Sequence, residues 1–288
     1  MIKKLLICPG ERKGLRSFAE SIPLAQLPLL GQSLIEYWLT HLSLDGARKV
    51  TLLANDRPEA LTAFVGDGAR WGIDIEVIPE SRELTPAEAL LKYEDIVSSP
   101  ENDITLLDHF PGCQEQLFNS HAALFAGLCA WLPHSRMPDR VGVRELFPGV
   151  WAGLHARIAP NAQIKAPAWI GKNVSIGTGA LVGPGAIVED GSFIEAEAEI
   201  VDSYIGPDTL VGRCTAIRES LVWGNTLINW KNDSVVEVND AFILCALRRS
   251  SLSPARSWLE RISELCAPSK GEPELFLKDW VINKEGSS

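Results

Sequence analysis

The sequence predicts an α/β protein with two architectures in series. An α/β layer built on a mostly parallel sheet comes first, and a three-sided column of stacked parallel strands closed by a C-terminal helix follows. Three observations predict this. Strand-like and helix-like stretches alternate through the first 110 or so residues, an aliphatic residue recurs at every sixth position from Ile158, and Ser253-Pro254 opens an amphipathic stretch.

In the first half, Lys4-Leu5-Leu6-Ile7-Cys8 reads as a buried strand running into a glycine-containing loop, Pro9 to Arg16. Ser33 to Leu42 carries apolar residues at i, i+1, i+4, i+5 and i+8, the spacing of an amphipathic helix. Lys49 to Ala54 is a second strand, Arg57 to Val65 a second helix, and Ile73 to Ile78 an alternating third strand. Pro86 to Lys92 is helical, and Asp103 to Leu107 is a fourth strand. Strands and helices that alternate across short loops imply a parallel sheet covered by helices. Cys113 to Trp131, with Leu117, Leu124, Leu128 and Trp131, reads as helix packing, and Pro133 to Pro138 as a linker.

In the second half, Ile158, Ile164, Ile170, Ile176, Val182, Val188, Ile194 and Ile200 stand six apart. Ile205, Val211 and Ile217 resume the step after one spacing of five, which either tightens a corner or moves an anchor to Val201. A track of small residues, such as Ala168, Ala180, Ala186 and Ala198, lies four positions after each anchor, and glycine often follows the anchor directly. A period of six fits neither a helix nor a lone strand. It fits a coil with three flat faces, whose corners glycine tolerates and whose anchors form an interior column. Ala152 to Trp223 then makes about four coils of 18 residues. This pattern resembles the left-handed parallel β-helix of hexapeptide-repeat proteins.

Ser234 to Val238 and Ala241 to Leu244 read as strands that finish the column. Ser253-Pro254 then caps a helix with Trp258, Leu259, Ile262 and Leu265 on one face, ended by Pro268 and suited to covering the column's end. Trp169, Phe193, Tyr204 and Trp223 lie just outside the anchors and are expected on an exposed outer face, where they would join a homo-oligomer through the repeats. The expected divisions are a layer over 1–132, a linker over 133–150, the column over 151–250 and a helix and tail over 251–288.

Composition narrows the partners. With 27 Lys and Arg against 37 Asp and Glu, the net charge of −10 argues against nucleic acid and anionic membrane surfaces. No run of 18 apolar residues occurs and the start lacks a signal-peptide core, so a cytoplasmic protein is expected. The six cysteines form no CxxC pair and are expected to be reduced and mostly buried.

Ile7 to Leu34, Leu34-Ile35-Glu36-Tyr37-Trp38, Gly66-Asp67-Gly68 with Trp71-Gly72, and Glu80 to Leu90 resemble the nucleotide-sugar pyrophosphorylases. In that family a Rossmann-like nucleotidyltransferase domain precedes a left-handed β-helix, and the resemblance implies the same order here, with a truncated first domain. The family's nucleotide loop has the form LAAGxGTRLxPLT and is followed by PKP. Aligned without gaps, Ile7 to Ala19 keeps the first loop glycine as Gly10, puts Arg12 at the second, and has Gly14 at the family's arginine. Pro23-Leu24-Ala25 stands at PKP, so Leu24 takes the place of the phosphate-contacting lysine. Glycines admit backbone N–H groups to phosphate oxygens, and Lys and Arg neutralise charge in phosphoryl transfer; leucine does neither. Leu84 to Leu90 aligns with the family's LGTAGAL, with Thr85 and Glu88 at its glycines, and the Glu88 carboxylate is expected to repel a nucleotide. Asp108 is the nearest counterpart of the metal aspartate, with Mg²⁺ expected only if the chain is active. From Asp108 to Ile158 there are fifty positions, short for the family's sugar pocket.

These departures imply a degenerate homologue in sugar-nucleotide and polysaccharide metabolism. It would bind a nucleotide or sugar-phosphate ligand, or pair with an active homologue. Gly10, Arg12, Lys13 and Gly14 are the nucleotide-binding candidates, Arg16 the catalytic one and Asp108 the metal one. The alternative is an active sugar-phosphate nucleotidyltransferase. Third is a hexapeptide-repeat acyltransferase, although no histidine lies between Ala156 and Trp223 to act as base and His155 stands only at the rim.

Overall fold

A computed structural model describes residues 3–15, 18, 22–94, 104–136 and 142–247. The expected C-terminal helix, Cys266 and the candidate Arg16 lie outside the described residues, as does the side chain of Lys13. Met1–Leu247 forms one compact unit. No helix among the described residues is long and apolar enough to cross a membrane.

The fold is mixed α/β with an N-terminal parallel sheet. Its strands are β1 (Lys3–Ile7), β2 (Lys49–Ala54), β3 (Asp74–Pro79) and β4 (Ile104–Leu106), in the spatial order β3-β2-β1-β4 and all parallel. Leu5, Leu6 and Ile7 are all buried, as expected of a central strand covered on both faces. Among the described residues the helices α1 (Leu34–Leu44), α2 (Pro58–Val65), α3 (Pro86–Lys92) and α4 (His121–Trp131) accompany the strands. Two of them begin with a capping box, in which Ser33 exchanges bonds with Glu36 and Thr85 with Glu88. The strands and helices expected from Lys4 to Leu107 form within a few residues of their bounds, whereas the helical stretch expected over Cys113 to Trp131 is helix only from His121, where Ser120 caps it.

From Val150 the chain visits three sheets in rotation. Ala168 pairs with Ala186, Ile176 with Ile194 and Val182 with Ile200, each partner eighteen residues on and parallel. The anchors Ile170, Ile176, Val182, Val188, Ile194, Ile200, Ile205, Val211 and Ile217 are buried in one cluster. Ile158 and Ile164, in the first coil, are partly buried. The five-residue step tightens a corner: Asp202 alone, at φ 45°, joins the strands Glu199–Val201 and Ser203–Ile205. The repeat falls to seventeen there, pairing Ile200 with Ile217, while Val201 stays partly exposed and is no anchor.

Glycine follows the anchors for two reasons, of which the sequence reading gave one. Gly183 has φ +95°, and a Cβ on it would lie 2.0 Å from the Lys165 carbonyl oxygen. Gly177 has no positive φ, but a Cβ there would lie 2.6 Å from the Ala196 nitrogen in the next coil. At Gly177 the demand is for space between coils.

The strands expected to finish the column do not continue it in parallel. Gly224-Asn225 is a two-residue turn, with Trp223 opposite Thr226, and such a turn can only reverse the chain. Thr226–Asn229 and Ser234–Glu237 therefore extend one sheet as an antiparallel meander, the latter exposed along its length. Leu244–Ala246 also pairs antiparallel, with Thr209–Val211, and its buried Leu244 joins the interior cluster.

That extended sheet carries the contact that holds the two halves together. On its outer surface Trp151, Trp169, Ile187, Tyr204, Leu221 and Ile228 stand in register, one per strand. All six are buried in one continuous core with Leu24, Leu27, Leu29, Leu34 and Ile35 of the N-terminal layer. Trp169 and Tyr204, expected at an exposed face, are each 1% exposed, and Trp223 packs edge-on against Phe18. The N-terminal layer covers this face, and of the four aromatics only Phe193 is exposed.

Polar bonds fix the layer's position on the column. The hairpin of Pro28–Leu29 and Gln32–Ser33 turns through Leu30 and Gly31, both at positive φ. Glu189, fully buried, accepts from both turn nitrogens, Leu30 N–H at 2.5 Å and Gly31 N–H at 2.8 Å. Tyr204 Oη donates to the Pro28 carbonyl at 2.8 Å. A buried carboxylate is tolerable only when its oxygens are bonded in this way.

Two substitutions separate the two cores. Ile176→Asp buries a charge in the column and is expected to cost several kcal/mol. Trp169→Ala empties the layer contact and is expected to cost about 3–5 kcal/mol. Chemical denaturation followed by circular dichroism checks both; parent-like unfolding of Ile176→Asp contradicts the interior column, and of Trp169→Ala the shared core.

Candidate functional site

The strand order locates a crevice. The chain moves outward from β1 to β2 and β3, then returns to place β4 on the other side of β1. In open parallel sheets ligands bind at such a reversal, beyond the carboxyl ends of the strands. Here those ends deliver Cys8–Gly14 after β1 and Leu107-Asp108 after β4, and Asn55-Asp56 follow β2 alongside.

The loop after β1 is pinned at both ends, Cys8 N–H to the Leu53 carbonyl at 2.8 Å and Leu15 N–H to the Arg12 carbonyl at 2.9 Å. Between them one carboxylate dominates. Glu83 Oε2 accepts from Gly10 N–H at 2.7 Å and from Arg12 Nη1 at 2.6 Å, while Glu83 Oε1 accepts from Arg12 Nη2 at 2.7 Å. Gly10 is required by crowding, since a Cβ would lie 2.6 Å from Asn55 Nδ2. The Asn55 Oδ1 is buried without a hydrogen-bond partner. Gly14, by contrast, has open space where a Cβ would be and no positive φ.

Electrostatics follow from this geometry. Burial pushes the Glu83 carboxyl up, but the Arg12 fork and the Gly10 N–H outweigh it and hold it below the ordinary carboxylate range. The hydrogen bonds to Glu83 raise Arg12, and Asp108 adds to that attraction. Cys8 is pushed up to about 12, first by burial and then by the Glu83 charge, so its thiol is unreactive at neutral pH. Arg57 at the mouth pairs with Asp56 at 2.8 Å and senses Glu11. Glu11, Asp56, Glu83 and Asp108 thus face Arg12 and Arg57 among the described side chains, an excess of negative charge where a nucleotide loop is expected to be positive.

The structure brings Gly10, Arg12 and Asp108 together, and keeps Leu24 and Glu88 out of the loop. Leu24 is fully buried in the shared core. Glu88, expected to repel a ligand, is committed elsewhere. It closes the Thr85 capping box and receives Arg82 at 2.6 Å, because the sequence Thr85-Pro86-Ala87-Glu88 starts a helix. The carboxylate that enters the loop is Glu83, five positions earlier, which the sequence reading missed. Its partner lies 71 residues away, and no local pattern announces such a pair.

Asp108 is 8% exposed and its Oδ1 is bonded to His109 Nδ1 at 2.7 Å. No group of three or more metal-ligating side chains occurs among the described residues. With Glu83 tied to Arg12, Asp108 is one carboxylate already bonded to His109, and a Mg²⁺ held by it would take its other ligands from substrate phosphates and water. His155, the rim histidine, stands on an exposed corner at φ 60°.

A stretch of 146 residues, half of this chain, is 26% identical to glucose-1-phosphate thymidylyltransferase from Streptomyces griseus. The chain is distantly similar to a nucleotidyltransferase. The matched stretch spans 41% of that protein's length. No protein-family model matches the chain.

The Glu83 carboxyl lies lower in the folded than in the unfolded chain, so it stabilises the fold above about pH 4.5 and that contribution is lost as pH falls through its lowered folded value. Glu83→Gln should therefore melt below the parent at pH 7, with the gap closing as pH falls below about 4.5. Melting curves over pH 3–7 check this; a gap that stays constant contradicts the assignment.

Proposed function

We propose that this chain is a sugar-phosphate nucleotidyltransferase homologue that has given up catalysis and serves as a ligand-binding or regulatory protein of sugar-nucleotide metabolism. In this reading the column is a left-handed parallel β-helix of hexapeptide repeats over 151–250, the layer over 1–132 is a reduced nucleotidyltransferase domain, and 133–150 links them. The observation that carries the reading is that Gly10 N–H and Arg12 are engaged by the chain's own Glu83. Leu24, aligned with the family's lysine, supports it from inside the core. A nucleoside triphosphate needs positive charge and free N–H groups at this loop. Among the described side chains carboxylates outnumber guanidiniums here, and no metal step is assigned. Pairing with an active homologue, or self-association, would use a surface other than the covered aromatic stripe.

The distant thymidylyltransferase relative favours one second reading, an active enzyme joining a nucleoside triphosphate to a sugar 1-phosphate. An assay of pyrophosphate release decides between them, with the four ribonucleoside triphosphates and thymidine triphosphate, each with glucose 1-phosphate and Mg²⁺. The expected result is no release above background. Robust release from any pair overturns the proposal. Restoring the family's lysine as Leu24→Lys is expected to give an unstable protein without activity, because the ammonium would enter a fully apolar site.

A further inference from the structure

We propose that the Gly10–Arg12 loop is a binding site for a single phosphoryl group, as on a sugar phosphate or a nucleoside monophosphate, and that Glu83 is an internal anion which such a ligand displaces. The inference rests on reading the loop as a former nucleotide loop and adds to it the ligand class and the means of closure.

Three features of the loop carry it. First, the donors are built for a tetrahedral or planar oxyanion: the two Arg12 nitrogens meet the two Glu83 oxygens in a parallel fork, and the Gly10 N–H adds a third bond at 2.7 Å. A guanidinium fork matches phosphate oxygens as well as it matches carboxylate oxygens. Second, Gly10 has no side chain to shield its N–H, and the Asn55 amide leaves no room for one. Third, Glu83 sits on an irregular segment between β3 and α3, outside any strand or helix. The Thr85 capping box begins the helix two residues later, so Glu83 can leave the loop without unwinding α3.

Charge sets the size of the ligand. Asp108 lies close enough to disfavour the Glu83 charge, and Glu11 and Asp56 line the same mouth. Three donors that hold one carboxylate can hold one phosphoryl group, which brings only about one negative charge more. A triphosphate would bring more charge still against those carboxylates, and among the described side chains Arg57, already paired to Asp56, is the further cation near it.

The experiment is a calorimetric titration of the full chain at pH 7 with inorganic phosphate, glucose 1-phosphate, thymidine monophosphate and thymidine triphosphate. It compares the parent, Glu83→Gln, Glu83→Asp and Glu83→Gln combined with Arg12→Lys. Glu83→Gln is expected to bind the monophosphates at least tenfold more tightly than the parent, with the triphosphate gaining less. Glu83→Asp, too short to span both donors, should fall between them and serves if the glutamine variant does not fold. Arg12→Lys should abolish the gain by removing the fork. Tighter binding of glucose 1-phosphate or thymidine monophosphate than of inorganic phosphate would assign the sugar or the base as part of the ligand. Equal affinities in parent and both Glu83 variants, or no binding by any protein, overturn the inference while leaving the absence of turnover intact. Pyrophosphate release by the parent overturns the functional reading whatever the titrations give.

Discussion

One sheet with two buried faces organises this protein. Its inner face lines the column with Ile170, Val188 and Ile205; its outer face presents Trp151, Trp169, Ile187, Tyr204, Leu221 and Ile228 to the N-terminal layer. Six rungs at a strand spacing of about 4.8 Å make an apolar stripe roughly 24 Å long. The layer's helix α1, eleven residues and about 16 Å, is shorter than that. The column therefore offers a rigid apolar platform longer than any single element docked on it. Left bare, the stripe would be an aggregation-prone surface of stacked aromatics. Covering it is the constraint that the N-terminal sequence satisfies.

That constraint reaches the candidate site through residues 23–31. Leu24, Leu27 and Leu29 fill the shared core, the Pro28 carbonyl receives Tyr204, and Leu30 and Gly31 receive the buried Glu189. The stretch aligned with the family's phosphate-contacting lysine is thus the stretch that clamps the layer to the column. A lysine at position 24 would have to bury an ammonium ion among leucines or pull the clamp open. Leucine there serves the packing of the shared core.

Much of this was legible in the sequence, for identifiable reasons. The anchors could be read because parallel stacking holds each coil to a fixed length, so Ile170 and Ile176 recur on a step the eye can follow. The outward stripe escaped because it uses one face in three: Trp151, Trp169 and Ile187 recur at eighteen, and Tyr204 and Leu221 at seventeen after the tightened corner at Asp202. Read at six, those aromatics looked scattered and exposed. Glu88 was misread although Thr85-Pro86-Ala87-Glu88 carries a capping signature, which assigns its carboxylate to the helix terminus. Glu83 could not be read at all, since its bonds to Gly10 and Arg12 cross 73 and 71 residues and depend on how β1 and β3 align through β2.

The loop's two departures from the family pattern explain each other. Arg12, where the aligned family motif has glycine, would by itself leave a guanidinium without a counter-ion. Glu83 by itself would set a second carboxylate near Asp108 and point it at bare N–H groups. Together they form a neutral, bidentate pair that also satisfies Gly10 N–H, and each removes the cost of the other. The pair draws Gly10 N–H and the Arg12 guanidinium onto one oxyanion, a geometry that a phosphoryl group would meet as well as a carboxylate does.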